Sequence, residues 1–155
     1  MSRAPRSCHA TALGLLARRD HFRAELARKL DQRGFDADEV DGALERLTDA
    51  GLLDDDKAAR AYVRARQRRA PLGRIRLLAE LRAKGVDEHI AENALEELEE
   101  HHDQDAAQRA AEHWLGCSGA QRKGPPGLAR HLERRGFPAG VIVDLLERYR
   151  DRFAS

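Results

Sequence analysis

Apolar residues recur every three or four positions along most of this chain, which is the spacing of one face of an α-helix. Leu26 and Leu30 are an example, in a helix predicted over residues 21–33. Asp20 stands where a helix N-cap is expected, and Gly34 stands where a left-handed residue would end the helix. No segment keeps the alternation of a β-strand, so the pattern predicts an all-α protein.

The pattern around Gly34 occurs three times, because Gly34, Gly85 and Gly136 are 51 residues apart. Five apolar columns keep the same register relative to these glycines. They are Leu26, Leu77 and Leu128; Leu30, Leu81 and Leu132; Phe35, Val86 and Phe137; Leu44, Leu95 and Leu146; and Leu47, Leu98 and Tyr149. A glycine and five apolar columns in one ungapped register predict a tandem repeat, in which each unit is helix, glycine turn, helix.

A pair of helices leaves one apolar face uncovered, so we expect a third helix in each repeat. Residues 54–69 supply it after the first pair, and about 103–115 after the second. The third pair is followed by only a few residues, so we expect that it is either completed by a helix from another region or left as a smaller pair. The predicted fold is an array of tandem three-helix repeats with an incomplete last repeat.

The chain order predicts five segments. They are a weakly ordered arm over residues 1–10, repeat one over 11–70, repeat two over 71–115, a mobile linker over 116–127, and a partial repeat three over 128–155. The linker is predicted from its composition, GCSGAQRKGPPG. In repeat one, a first helix over residues 11–19 is expected to bury Leu13, Leu16 and Ala17.

Cations are concentrated in one stretch of the chain, although the net charge is only +1. From Lys57 to Lys84 there are ten Lys and Arg and a single acid, Glu80. A solvated helix face usually mixes both signs, so this excess favours a surface that binds phosphates or an acidic protein. Aromatic residues are only 5% of the chain, which argues against stacking on single-stranded bases.

A helical wheel at about 100° per residue separates a cationic and an apolar side over residues 57–69. The cationic stripe consists of Lys57, Arg60, Arg64 and Arg68. Arg66 falls on the apolar side and is expected to reach solvent because it lies near the helix end. Arg74 and Arg76, at the start of the next helix, extend the positive surface.

The sequence shows no pattern typical of a catalytic, metal or cofactor site. His101, His102, His113 and Cys117 match no zinc-ligand spacing, and the acids over residues 96–100 are expected to face water. We therefore expect no enzyme, cofactor or metal. No apolar run is long enough to cross a bilayer, the N-terminus does not resemble a signal peptide, and the two cysteines form no spaced pair, so a cytoplasmic protein is expected.

Three segments carry a family resemblance. RRDHFRAELARKLDQRGF, then LERLTDAGLLDDDKAARAYVRAR, then GRIRLLAELRAKGV resemble the bacterial regulatory RecX family over roughly residues 11–150. The most specific parts are the EL-x3-L-x3-G signature and the GLLDD segment that leads into the Arg-rich helix. The resemblance implies an elongated, curved all-α array that binds the RecA recombinase filament on DNA and restrains its ATPase, strand exchange and co-protease activity, in DNA repair and the SOS response.

The resemblance also implies which residues meet the partner. Carried over by position, the candidate contacts to RecA or DNA phosphate are Lys57, Arg60, Arg64, Arg68, Arg69, Arg74 and Arg76, with Arg130, Arg134 and Arg135 as a second patch. Two positions depart from the family pattern. Phe22 stands where a serine is expected, which shifts the capping role to Asp20, and Ala58 replaces an aromatic residue. We expect a monomer.

Two other functions fit the residues. The chain could be a free-standing DNA-binding protein of helix-turn-helix-like repeats, which would bind bare DNA with a steep salt dependence. It could also be an α-helical scaffold for an unknown protein.

Overall fold

The computed structural model describes residues 4–154. Within them the chain forms nine α-helices, one short 3-10 helix over Arg150–Phe153, and no strand. The helices are α1 (Cys8–Arg18), α2 (Arg23–Gln32), α3 (Ala37–Asp49), α4 (Asp55–Arg69), α5 (Arg74–Ala83), α6 (Glu88–Glu96), α7 (His102–Leu115), α8 (Ala120–Arg134) and α9 (Ala139–Arg148). None of the helices described is long and apolar enough to span a membrane. The all-α prediction is confirmed.

Internal contacts divide the chain into two compact units. The first comprises residues 4–61 and 81–94, and the second comprises residues 62–80 and 95–154. The boundaries fall inside α4, α5 and α6. None of these boundaries lies in the stretch 116–127, which was predicted as a linker. The predicted limits of the five segments stay a prediction.

The first unit has its core between α1, α2 and α3. Leu26, Leu30, Leu44 and Leu47 are at most 1% exposed there, and they pack against residues of α1. These leucines belong to the columns that defined the repeat, so the repeated positions are core positions.

Helix α1 differs from its prediction at both its start and its buried face. It begins at Cys8 because the Ser7 hydroxyl accepts a hydrogen bond from the Ala10 N–H at 3.1 Å, so the arm predicted over residues 1–10 ends earlier, with residues 1–3 outside those described. Its buried residues are Cys8, Thr11, Ala12 and Leu15. The prediction was wrong for Leu13 and Ala17, because the i, i+3, i+4, i+7 stripe that starts at Cys8 leaves Leu13 37% exposed and Ala17 exposed. Leu16 is partly buried and packs against this core.

The second unit has its main core between α7, α8 and α9. Four alanines of α7 (Ala106, Ala107, Ala110 and Ala111) are at most 1% exposed and pack with Leu128, Leu132, Ile142 and Leu145. Helix α7, which was predicted as the third helix of repeat two, therefore covers the third helix pair. In the first unit α1 likewise precedes and covers the pair α2–α3.

The glycine- and proline-rich stretch 116–127 is mostly helical. Helix α8 starts at Ala120 and is kinked at Gly124, whose φ of 61° and ψ of −168° are not helical. Gly127 is buried, and a Cβ there would press on the Lys123 side chain and the Trp114 ring. Trp114, 9% exposed at the end of α7, packs against this glycine. Composition alone predicted a mobile linker and missed these contacts.

The three repeated glycines end their helices as predicted. Gly34, Gly85 and Gly136 have φ values of 90°, 78° and 82°, which cost least without a side chain. The next residue in each turn donates its N–H to a carbonyl five residues back, as Phe35 does to Leu30 at 3.4 Å, Val86 to Leu81 at 3.2 Å, and Phe137 to Leu132 at 3.3 Å.

A carboxylate from another helix caps the first helix of a pair. Helix α2 begins at Arg23 after Phe22, which makes no side-chain cap, so the prediction of Asp20 as N-cap was wrong. The Arg23 N–H instead donates to Asp55 Oδ1 of α4 at 2.8 Å. In the second unit the Arg74 N–H donates to Asp103 Oδ1 of α7 at 2.9 Å. Free amides at a helix start must find acceptors, and here tertiary contacts provide them.

In the third pair, the helix start that corresponds to Arg23 and Arg74 has no N–H for a carboxylate to cap. Pro125 occupies the position that Arg23 and Arg74 hold in the 51-residue register, directly after the kink at Gly124. Proline has no N–H, so this helix start lacks the donor that Asp55 and Asp103 satisfy in the other two.

We expect Asp55→Ala to lower the free energy of unfolding by about 0.5–2 kcal/mol, because it removes the cap of α2. Burial raises the pKa of the Asp55 carboxyl, against the effect of the Arg23 N–H. Asp55→Asn, which keeps an acceptor oxygen, should therefore lose less. Urea unfolding followed by circular dichroism measures both variants.

Asp20→Ala is the control for this prediction, because Asp20 is exposed and caps no helix. A loss of stability in Asp20→Ala equal to that in Asp55→Ala would show that the remote cap does not hold α2.

Candidate partner-binding surface

Helix α4 presents its cations as the helical wheel predicts. Lys57, Arg60, Arg64 and Arg68 are exposed, while Ala59 and Val63 on the other side are 0% and 2% exposed. Asp55 and Asp56 lie in its first turn, and its last turn holds Arg66, Arg68 and Arg69. This order of charges complements the helix dipole, so the sequence favours the helix and its cationic face together.

Arg66 reaches solvent only in part, since its side chain is 27% exposed and its charge is paired inside the protein. Its guanidinium donates from Nε to Glu80 Oε1 at 2.9 Å, and its Nη2 lies 2.8 Å from the same oxygen. The Tyr62 hydroxyl also donates to Glu80 Oε1, at 3.1 Å, and burial together with this carboxylate raises the pKa of Tyr62. Glu80, the single acid of the cationic stretch, is therefore the counter-ion of a partly buried arginine.

Arg74 is held by the backbone before α7. Its Nη2 donates to the carbonyls of Leu98 at 3.2 Å and Glu99 at 2.7 Å, and its Nη1 lies 3.8 Å from Asp103 Oδ2. The side chain is 31% exposed. Two of its five N–H donors are hydrogen-bonded and its charge is paired with Asp103 inside the protein, which makes Arg74 a poorer candidate for a phosphate contact than its charge suggests.

Arg76 connects the start of α5 to the end of α8. Its Nη1 donates to the Arg134 carbonyl at 2.9 Å, and its Nε lies 3.7 Å from Glu80 Oε2. Beside it, the Gly73 N–H donates to the Arg135 carbonyl at 2.8 Å. A Cβ at Gly136 would collide with the backbone of Arg76, so the helix end and the helix start meet only because position 136 is a glycine.

This contact brings together two patches that the sequence treats as separate. Arg76 belongs to the first candidate patch, and Arg134 and Arg135 belong to the second. Arg130 and Arg134 are exposed, whereas Arg135 donates from Nε to His131 Nε2 at 3.1 Å. No sequence signal marks the pairing, because it joins residues about sixty positions apart through a glycine turn.

The exposed cations are of two kinds. Arg64 lies 3.4 Å from Glu97 Oε2, with both side chains about half exposed, and such a pair contributes little to stability. Within the described residues 4–154 the charged groups of five exposed side chains make no ion pair or hydrogen bond, and these are Lys57, Arg68, Arg69, Arg130 and Arg134. These five residues can turn their charge towards a partner without breaking an internal contact.

One histidine near the acidic segment, His102, makes side-chain contacts inside the protein. His102 Nε2 lies 2.8 Å from the Leu72 carbonyl, and its Nδ1 lies 3.5 Å from the Gln67 amide nitrogen. His102 therefore joins the start of α7 to the segment before α5. Among residues 4–154 no three His, Cys, Asp or Glu side chains are grouped to hold a metal ion.

His131 is the most strongly perturbed base on this surface. Burial lowers its pKa to about 4, with the charges of Arg135 and Arg134 acting in the same direction. Its Nε2 accepts from Arg135 at 3.1 Å, and its ring centroid lies 6.4 Å from that of Trp114. The neutral imidazole is thus the form that orients Arg135.

Family comparison matches two segments of the chain. A model described as the first three-helix domain of RecX matches residues 8–47, and one described as its second three-helix domain matches residues 54–95. These limits correspond to α1–α3 and α4–α6. The matched domains therefore begin with the covering helix, whereas repeats one and two were predicted to end with it.

Named relatives and solved structures extend the comparison. A regulatory protein RecX of Mycobacterium sp. (strain KMS) is 38% identical over 89% of this chain and 79% of its own length. One from Halorhodospira halophila is 41% identical over 84% of this chain and 81% of its own. The crystal structure of RecX from Lactobacillus salivarius superposes with a TM-score of 0.71 at 24% identity, covering 91% of this chain and 93% of that one. At such identity the likeness concerns the fold.

We expect arginines with internal hydrogen bonds to contribute more to the free energy of unfolding than exposed arginines do. Arg74→Ala should lower the free energy of unfolding by about 1–3 kcal/mol, because it removes charged hydrogen bonds to two carbonyls. The double variant Arg68→Ala/Arg69→Ala should change it by less than about 0.5 kcal/mol for each residue, because both are exposed. Chemical denaturation measures both, and equal losses would contradict this separation.

We expect stability to fall as the pH drops from about 6.5 towards 4. His131 has a pKa near 6.5 in the unfolded chain and about 4 in the folded chain. Between these two pH values the unfolded chain binds a proton at His131 that the folded chain does not bind, so a falling pH favours unfolding. Replacement of His131 by Asn should flatten this part of the profile, measured by denaturant unfolding at several pH values. His89→Asn, at an exposed position of α6, should leave the profile as in the wild type.

Proposed function

The chain belongs to the RecX family, and we propose that it binds the RecA recombinase filament on DNA and inhibits its ATPase, recombinase and co-protease activities. In this role it modulates DNA repair and the SOS response in the cytoplasm. It acts by binding, and it transforms no substrate.

The observation that supports this proposal most is a set of exposed cationic side chains that make no ion pair or hydrogen bond within residues 4–154. Lys57, Arg68 and Arg69 lie on α4, and Arg130 and Arg134 lie on α8. Guanidinium and ammonium groups bind phosphate and carboxylate oxygens strongly. A filament of protein on DNA offers both kinds of oxygen along its length.

Inhibition follows from preferential binding. A ligand that contacts one state of the filament more strongly than another shifts the filament towards the first state by the difference in affinity. A protein that lies in the groove and holds neighbouring parts of the filament in one arrangement would restrain the changes that ATP hydrolysis and strand exchange require. A helical array with cations on two helices suits such a contact.

Binding to bare DNA is the second candidate function. The same unpartnered arginines favour it, since they can meet phosphates in any sequence. It predicts tight binding to DNA without the recombinase, weakening steeply with salt. The leading proposal predicts instead that the filament is bound much more tightly than the DNA alone.

We expect the purified chain to reduce the DNA-dependent ATPase rate of its cognate RecA at or below one molecule per protomer. The assay is ATP hydrolysis on single-stranded DNA at fixed salt, with and without the chain. An unchanged rate, with the chain shown to be folded by circular dichroism, would sink the proposal.

Two double variants test whether inhibition depends on the exposed arginines of α4. Arg68→Ala/Arg69→Ala should raise the concentration needed for half inhibition by about tenfold, the effect of roughly 1.4 kcal/mol. Arg28→Ala/Arg46→Ala removes two exposed cations from α2 and α3 and should act like the wild type. Equal loss in both variants would mean that only total charge matters.

A further inference from the structure

Ile75 is an aliphatic residue on the outside of α5. It is 56% exposed, and Arg76 and Ala79 are exposed beside it. A single exposed aliphatic residue is common and needs no explanation by itself. The charges of the neighbouring side chains indicate whether Ile75 belongs to a binding surface.

Two other aliphatic residues are exposed to the same degree, but among acids. Leu52 is 55% exposed and is followed by the exposed Asp54 and Asp56. Val143 is 52% exposed and is followed by the exposed Asp144. Ile75 lies between Arg74 and Arg76 and thus combines apolar exposure with positive charge.

One cation beside Ile75, Arg76, is held in place by internal contacts. Arg76 Nη1 donates to the Arg134 carbonyl at 2.9 Å, and the Gly73 N–H donates to the Arg135 carbonyl at 2.8 Å. A guanidinium has five N–H donors, so Arg76 keeps donors for a partner, and the exposed side chain of Arg134 adds more. A side chain already held in one position loses little conformational freedom on binding.

We propose that Ile75, Arg76, Ala79 and Arg134 form a docking patch for a protein segment that carries an apolar side chain next to carboxylates. This inference rests on the proposed function, and it assigns the segment to the RecA protomer. The patch would contact the protein part of the filament, while Arg68 and Arg69 of α4 contact phosphate.

Charge and apolar contact together select this occupant. Arg76 and Arg134 would attract phosphate and carboxylate equally, but an aliphatic side chain gains nothing from a phosphate backbone. Against a protein it removes apolar area from water. Arg is enriched among the residues that contribute most binding energy in protein interfaces, and a neighbouring apolar side chain that becomes buried excludes water from its contacts.

The test compares three matched serine variants, Ile75→Ser, Leu52→Ser and Val143→Ser, in the full chain. Binding is measured by fluorescence anisotropy to RecA filaments assembled on single-stranded DNA with a non-hydrolysable nucleotide, and separately to the same DNA alone. Ile75→Ser should weaken filament binding by about tenfold or more and leave DNA binding unchanged. The other two variants should bind the filament within about twofold of the wild type.

The effect of Ile75→Arg distinguishes whether the patch contacts protein or DNA. If the patch contacts protein, the added charge cannot replace the lost apolar contact, and filament binding weakens as in Ile75→Ser. If the patch contacts phosphate, Ile75→Arg strengthens binding and raises the salt slope by about one. The latter result would overturn the proposal.

Several other results would also overturn it. Filament binding of Ile75→Ser equal to the wild type, or equal loss in all three serine variants, would show that the patch is not specific. A wild-type dimer in sedimentation that Ile75→Ser dissociates would assign the patch to a second copy of the chain. If the wild type inhibits RecA while Ile75→Ser also does so fully, only the docking patch fails, whereas a wild type without effect removes the proposed function itself.

Discussion

A helix that starts inside a packed protein must find acceptors for its first free amides, and that requirement joins distant parts of this chain. Asp55 accepts from the Arg23 N–H at 2.8 Å and Asp103 from the Arg74 N–H at 2.9 Å. Each carboxylate comes from a helix about thirty residues later, so the cap of one helix fixes the position of another. In the third pair the corresponding position is Pro125, directly after the kink at Gly124 in α8, and proline has no N–H that needs an acceptor.

The same requirement controls the placement of the charged surface. Because the Arg74 amide is bound by Asp103, the start of α5 is fixed, and Arg74 and Arg76 then reach backbone carbonyls at 2.7 Å and 2.9 Å. These two arginines hold helix ends, whereas Arg68 and Arg69 extend into solvent. Positive charge in this chain therefore has two roles, and contacts distant in sequence decide which residue has which.

Much of the fold could be predicted from local rules, and so could part of the candidate surface. Leucines at helical spacing and a left-handed glycine form a pattern that depends on neighbours within a few residues, and Leu26, Leu77 and Leu128 are each 0% exposed. The cationic side of α4 follows from the same periodicity. The start of α1 and the cap of α2 were predicted wrongly. Ser7 caps α1 and Asp55 caps α2, and the spacing of apolar residues does not indicate which polar side chain will cap a helix.

The sequence by itself determined the helical class, the 51-residue repeat, the glycine turns and the excess of cations between Lys57 and Lys84. Only the tertiary structure decided that Arg66 is neutralised by Glu80, that Arg76 meets Arg134, and that Gly127 lies under Trp114. The reason is physical: helical periodicity and turn geometry act over one or two turns of chain, whereas an ion pair or a close backbone contact depends on which distant atoms packing brings within about 3 Å.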